Sequence, residues 1–167
     1  MSNLRRYFSP GMSIFITVVT HERSPILVKN IDLFRTAWES TKSKFSFDIL
    51  AWVVLPDHFH MILEPTEKEL NAIVHGFKQK FSANYRMRTG VHHGRLWQNR
   101  YWDHVIRDLP DMNRHIDYMH YNPVKHDACL NPEEYEHSSL RTYIERGQYE
   151  PDWGEVAKCD SGNSFGE

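Results

Sequence analysis

Phe47-Asp-Ile-Leu-Ala-Trp-Val-Val-Leu-Pro-Asp-His-Phe-His-Met-Ile-Leu-Glu64 is the stretch that decides the fold. Phe47 to Leu55 is nearly continuous apolar sequence, the pattern of a central strand. Pro56-Asp57 is a turn signal. His58 to Glu64 then reads as a second strand that closes a hairpin. Residues two apart on a strand share a face. His58 and His60 therefore project side by side, while Phe59, Met61 and Leu63 point the opposite way.

The neighbouring sequence supplies what covers those two faces. Upstream, Ser13 to Thr20 is rich in β-branched and aromatic residues and predicts a buried strand, ended by Arg23-Ser-Pro25. Residues 31–45 carry Ile31, Phe34, Trp38, Thr41 and Phe45 at helical spacing. Downstream, residues 67–87 predict a second amphipathic helix with Leu70, Ile73, Val74, Phe77 and Phe81 on its buried side. Gly90 to Gly94 is a loop, and Tyr101 to Arg107 suits a fourth strand. Pro110-Asp111 marks a helix start. This third helix is expected to end near Asn122, because the residue before proline disfavours the α region. The order is β-α-β-β-α-β with one extra helix. It predicts an α+β, ferredoxin-like (RRM-like) split βαβ fold with an antiparallel sheet. The first two helices cover the Phe59 face, and the histidines lie on the other.

The chain has 167 residues, 40 % hydrophobic and 25 % charged, enough for one domain with a core. No apolar run approaches the roughly 20 residues that span a bilayer, and no signal-peptide core follows Met1. Cys129 and Cys159 lack CxxC spacing, so a cytoplasmic protein with free thiols and no membrane partner is expected. The net charge of −2 hides an asymmetry: residues 1–126 carry +5 and residues 127–167 carry −7. The densest basic stretch holds Lys78, Lys80, Arg86, Arg88, Arg95, Arg100 and Arg107 against Asp103 alone. Such a stretch fits either a solvated surface or a nucleic-acid partner. The last dozen residues, rich in Gly, Ser and charge, are expected to form a loose tail.

Two imidazoles on one strand face can hold a divalent ion. HxH also arises by chance in a chain with eleven histidines. Tyr118 and Asn122 stand four apart and share a face if both are helical. A tyrosine hydroxyl can act as a covalent nucleophile, and the Asn oxygen can be a third ligand. The four groups converge if the third helix packs on the histidine face. Packing or surface roles are the alternative for tyrosines in Tyr118-Met-His-Tyr121.

Five stretches in one collinear order make the chain recognisable. They are Arg5-Arg-Tyr, Ala51-Trp-Val-Val-Leu-Pro-Asp-His-Phe-His60, Leu96-Trp-Gln-Asn-Arg-Tyr-Trp-Asp-His104, Ile116-Asp-Tyr-Met-His-Tyr-Asn-Pro-Val-Lys125 and Ser138-Ser. Over roughly residues 3–154 the chain resembles the REP-associated tyrosine transposases, relatives of the single-tyrosine insertion-sequence transposases of the HUH nuclease class. The resemblance implies the HUH fold, Tyr118 as nucleophile, and His58, His60 and Asn122 as ligands of Mg²⁺ or Mn²⁺. It also implies REP-type palindromes, folded as single-stranded DNA hairpins, as partner and substrate. Strands would be cut and rejoined through a 5′-phosphotyrosine link. Residues 1–137 would form the nicking and joining domain and 138–167 an acidic, partly disordered extension. Related enzymes imply a monomer or a homodimer.

The residues are compatible with that partner. Bases in single strands stack on aromatics while cations track the backbone. Trp97, Tyr101 and Trp102 interleave with Arg95, Arg100 and Arg107; burial in the core is the other reading of the tryptophans. Gln98 suits base edges. Arg5 and Arg6 suit a phosphate-gripping arm, Lys78 and Lys80 lie off the apolar stripe of the second helix, and Lys125 joins the expected DNA contacts. Two other functions compete. One is a non-cleaving DNA-binding relative. The other is a metal-dependent hydrolase that uses Glu64, on the histidine face of the strand.

Overall fold

The computed structural model describes residues 11–66, 70–150 and 153–156. The expected Arg5–Arg6 arm and the C-terminal tail lie outside the described residues. Four strands form one sheet: β1 (Ile14–Val19), β2 (Phe47–Val54), β3 (His58–Pro65) and β4 (Trp102–Val105). The order is β2-β3-β1-β4 and every pair is antiparallel. Helices α1 (Ile31–Lys42) and α2 (Leu70–Thr89) supply the two crossovers, and α3 (Leu109–Lys125) follows β4. This is the expected split βαβ arrangement.

Strand alternation sorts two cores. Ile14, Ile16 and Val18 of β1 and Phe59, Met61 and Leu63 of β3 pack beneath α1 and α2. Trp38 stacks on Phe77 at 4.3 Å and locks the two helices together. Phe15, Ala51, Val53 and Ile62 point the other way and meet Met119 of α3. A bulge in β2 lies between Ile49 and Ala51. It puts Ile49 on the α1–α2 side and both Leu50 and Ala51 on the α3 side, as an extra residue does.

Asp108 caps α3, its carboxylate accepting the Asp111 N–H at 2.8 Å. The helix does not end before Pro123 as the sequence suggests. It runs to Lys125 with Pro123 inside it. The missing proline N–H forfeits one helical bond, but Asn122 and Pro123 are buried. The final turn is closed by the His126 N–H on the Asn122 carbonyl at 3.0 Å. Tertiary packing outweighs the local preference. The first helix is also shorter than expected, ending at Lys42.

The outer edge of β2 is covered. The Val54 N–H bonds the His137 carbonyl and the Ser139 N–H bonds the Trp52 carbonyl, both at 2.9 Å. The Tyr143 hydroxyl reaches the Leu50 carbonyl at 3.0 Å. Such covering removes an edge that would otherwise pair with other chains. Behind it, buried His120 bridges Ser139 Oγ and the Tyr149 hydroxyl, each at 2.8 Å, and Tyr149 continues to Asp117 at 3.0 Å. Burial lowers the His120 pKa to about 3 and keeps the ring neutral. Tyr149→Phe removes the link between His120 and Asp117. It is expected to cost about 1–3 kcal/mol, with the thermal midpoint falling by roughly 2–4 °C per kcal/mol. A circular-dichroism melt measures it; an unchanged midpoint would show that the network contributes nothing to stability.

Candidate metal and nucleophile site

His58 and His60 project from β3 onto the face that α3 covers. Both are fully buried, and their rings stand 5.1 Å apart at 82°. Each imidazole is oriented by a neighbour. Asp57 Oδ1 lies 2.7 Å from His58 Nδ1. Burial alone would raise the Asp57 pKa, but the His58 contact and Arg23 outweigh it and bring it down to about 2. An ionised carboxylate only accepts, so a proton sits on His58 Nδ1, and in the neutral ring the lone pair is on Nε2. That Nε2 is buried with no hydrogen-bond partner. Leaving a buried acceptor unsatisfied costs about 1–3 kcal/mol. A carboxylate behind the ring and a bare nitrogen in front is the arrangement of a histidine metal ligand. His60 Nδ1 lies 2.8 Å from Thr17 Oγ1, its cross-strand partner on β1. Donation of the Nδ1 proton to Thr17 would leave a lone pair on His60 Nε2.

Helix α3 brings up the other half. The Tyr118 ring lies 5.3 Å from the His60 ring. Phe15 sets the spacing: it stacks on His60 at 5.4 Å and meets Tyr118 at 6.3 Å and His115 at 4.7 Å. Asn122, one turn on, is fully buried. Lys125 Nζ sits over the Tyr118 ring, 4.9 Å from its centre. The donor set of imidazoles and an amide oxygen suits a divalent ion.

A second group, His104, Asp111 and His115, has its ligand atoms within 4.8 Å of one another. Its carboxylate is already engaged. Asp111 Oδ2 takes His104 Nε2 at 2.8 Å and the Arg107 backbone N–H at 3.1 Å, and Oδ1 takes Arg114 at 3.1 Å. His115 Nδ1 bonds the Asp111 carbonyl at 2.8 Å. Burial would raise the Asp111 pKa, but bonds from His104, Arg107 and Arg114 hold it well below the usual carboxylate range. The group fastens the start of α3 to β4. Asp111→Asn is expected to cost about 1–2 kcal/mol at pH 7, a modest figure because the two arginines are largely exposed. A group with a depressed folded pKa stabilises above its unfolded value and loses that contribution as pH falls. The gap between wild type and Asp111→Asn should therefore narrow below pH about 4 in urea unfolding. A gap independent of pH would mean the charge is not what matters.

The expected DNA residues are spread more widely. Arg95, Gln98 and Arg100 are exposed. Lys78 Nζ donates to the Gln98 carbonyl at 3.1 Å, and burial lowers its pKa to about 8. Lys80 lines a groove between α1 and α2 with Lys44 and Gln79. Arg107 is exposed but tied to Asp111. Trp97 is buried in the α1–α2 core, its Nε1–H donated to Ser82 at 3.1 Å. It anchors the basic segment from within. Glu64 lies at the far end of β3, about 13 Å along the strand from His60, and accepts from Ser13.

Asp57, Thr17 and His126 stand against the two histidines but escape the sequence reading. Asp57 is adjacent to His58 yet reads as part of a turn. Thr17 becomes visible only from strand register. His126, whose ring is 4.9 Å from His58, lies beyond the proline where the helix was expected to stop.

Comparison with known proteins identifies the family. Residues 9–120 match the family described as transposase IS200 like. A relative from Haemophilus influenzae, named as a REP-associated tyrosine transposase, is 32 % identical and covers 92 % of this chain and 94 % of its own. The REP-associated tyrosine transposase of Escherichia coli K12 is also 32 % identical, over 97 % of each chain. A solved REP-associated tyrosine transposase bound to a REP hairpin superposes with a TM-score of 0.85 at 32 % identity, covering 100 % of this chain and 98 % of that one. The chain therefore belongs to the IS200-like tyrosine transposases, in the REP-associated branch.

Proposed function

We propose that this protein binds REP-type single-stranded DNA hairpins and cuts and rejoins DNA strands, with Tyr118 as nucleophile and His58, His60 and Asn122 holding Mg²⁺ or Mn²⁺. The observation that carries the reading is the buried, Asp57-backed His58 Nε2, on the same face as a Tyr118 ring seated against His60. The family works with a divalent metal. When bound, the ion would draw charge from a non-bridging phosphate oxygen and make phosphorus more electrophilic.

The rest is the work of the chain's own residues. Tyr118 Oη forms a bond to the scissile phosphorus and its proton leaves to solvent. The bond from phosphorus to the 3′-oxygen breaks, and that oxygen takes up a proton to become a 3′-hydroxyl. One phosphodiester is exchanged for another, so a second 3′-hydroxyl can reverse the step without ATP. Lys125 balances the charge of the phosphotyrosine. Exposed Arg95, Gln98 and Arg100 contact the hairpin, with Lys78 bracing the Gln98 backbone. Lys80 and Arg107 extend the cationic surface, and Arg5 and Arg6 are assigned to the DNA contacts from the sequence. An enzyme of this kind acts in the cytoplasm, where the DNA is. Residues 1–137 form the cutting unit, and 138–167 the extension.

The test is to incubate the chain with a labelled REP-type hairpin oligonucleotide and Mn²⁺ and resolve the products on a denaturing gel. A protein–DNA adduct with a free 3′-hydroxyl fragment is expected. Tight binding with no adduct under any divalent metal would point to a non-cleaving relative.

A further inference from the structure

Tyr118 and Asn122 lie one turn apart on α3, and His126 follows four residues on as its C-cap; the Tyr118 and His126 rings stand against the two β3 histidines. The His126 backbone is pinned there by its N–H bond to the Asn122 carbonyl. Its ring lies 4.9 Å from the His58 ring at 65°, and His60 lies 5.1 Å from the same ring at 82°. These distances can be compared with what a shared ion requires. A ligating imidazole nitrogen sits about 2.0–2.1 Å from the metal, with the ring centre roughly 1.1 Å further out. Two imidazoles on one ion at bond angles of roughly 90–110° thus have ring centres about 4.5–5.3 Å apart. Both pairs fall in that range.

Ring orientation separates this cluster from His104–His115, which is equally close at 4.8 Å. Those two rings stack at 15°. Imidazole lone pairs lie in the ring plane, so stacked, parallel rings do not aim two of them at one point. The steep angles at His58, 82° and 65°, are compatible with all three ring planes meeting at one point.

We propose that His126 is a further ligand of the catalytic ion, reaching it from the end of α3 and completing a three-histidine set with His58 and His60. The assignment rests on the divalent-metal reading of His58 and His60. It has a consequence for metal choice. Mg²⁺ favours oxygen donors, whereas imidazole nitrogens favour later first-row ions. A third imidazole therefore shifts preference from Mg²⁺ toward Mn²⁺, Co²⁺ and Zn²⁺. It also gives the short segment after Pro123 a reason to stay helical, since unwinding there would withdraw the ligand.

Co²⁺ is the probe. Calorimetric titration of the full chain gives its affinity, and the visible absorption of bound Co²⁺ reports the ligand set. One Co²⁺ is expected to bind the wild type. His126→Ala should weaken it at least about 10–100-fold, by analogy with losses at less direct positions, and should alter the spectrum. His58→Ala serves as the control for the underlying reading. Lost Co²⁺ binding in His58→Ala with unchanged affinity and spectrum in His126→Ala would overturn the His126 assignment and leave the metal site standing. Unchanged binding in both would overturn both. If His126→Ala does not fold, spin-echo spectroscopy of Mn²⁺ bound to the wild-type chain counts imidazole nitrogens directly. Three support the proposal and two refute it.

Discussion

Tyr118→Phe is expected to abolish strand cleavage and adduct formation, a loss of at least about 10⁴-fold in rate, as removal of a covalent nucleophile does. Only one oxygen is deleted. The ring keeps its seat against His60 and Phe15, and Lys125 keeps an aromatic face beneath it. Stability and hairpin binding should therefore stay close to wild type, because affinity for nucleic acid comes chiefly from phosphate contacts elsewhere. Gel-shift and denaturing-gel assays on one labelled hairpin separate the two properties. Cleavage that survives in Tyr118→Phe would mean that water, not tyrosine, attacks phosphorus.

The second large effect is expected from the paired substitution His58→Ala with His60→Ala. Cleavage should fall at least about 10³-fold, the scale on which a charge-stabilising group at a reacting centre contributes. EDTA should produce the same loss in wild type and no further loss in the double variant. Hairpin binding in EDTA should persist in both. Two buried imidazoles leave a cavity, so a melt must accompany the assay; His58→Gln with His60→Gln keeps more of the volume and serves if the alanine variant is unstable. Asp57→Ala should give a smaller loss, about 10–100-fold, because it disorients one ligand without removing it. If the double variant cut DNA at the wild-type rate, the histidines would be structural.

Much of this was legible in the sequence because strand alternation is an unambiguous code. One period of two placed Phe59 in the helix-covered core and His58 and His60 on the far face, and the register bears that out. The convergence of Tyr118 with the histidines followed once α3 was set on that face. Three things were not legible, each for a physical reason. Pro123 reads as a stop, yet burial of Asn122 and Pro123 carries α3 onward to Lys125. His126 was hidden by that same misreading. Trp97 among arginines fits a base-stacking platform and a core anchor equally well, and only its burial beneath Ser82 decides. The clasp of Ser139, Tyr143 and Tyr149 on β2 and α3 consists of contacts between distant segments, which no local pattern encodes.

The most direct test of the central claim is to identify the residue that carries the DNA. The adduct formed with a hairpin oligonucleotide and Mn²⁺ is digested with protease and nuclease, and the modified peptide is sequenced by tandem mass spectrometry. The expected result is a single peptide spanning Ile116 to Lys125 with a 5′-linked phosphonucleotide on Tyr118. A nucleotide on Tyr121 or any other residue, or cleaved DNA with no attached peptide, would contradict it.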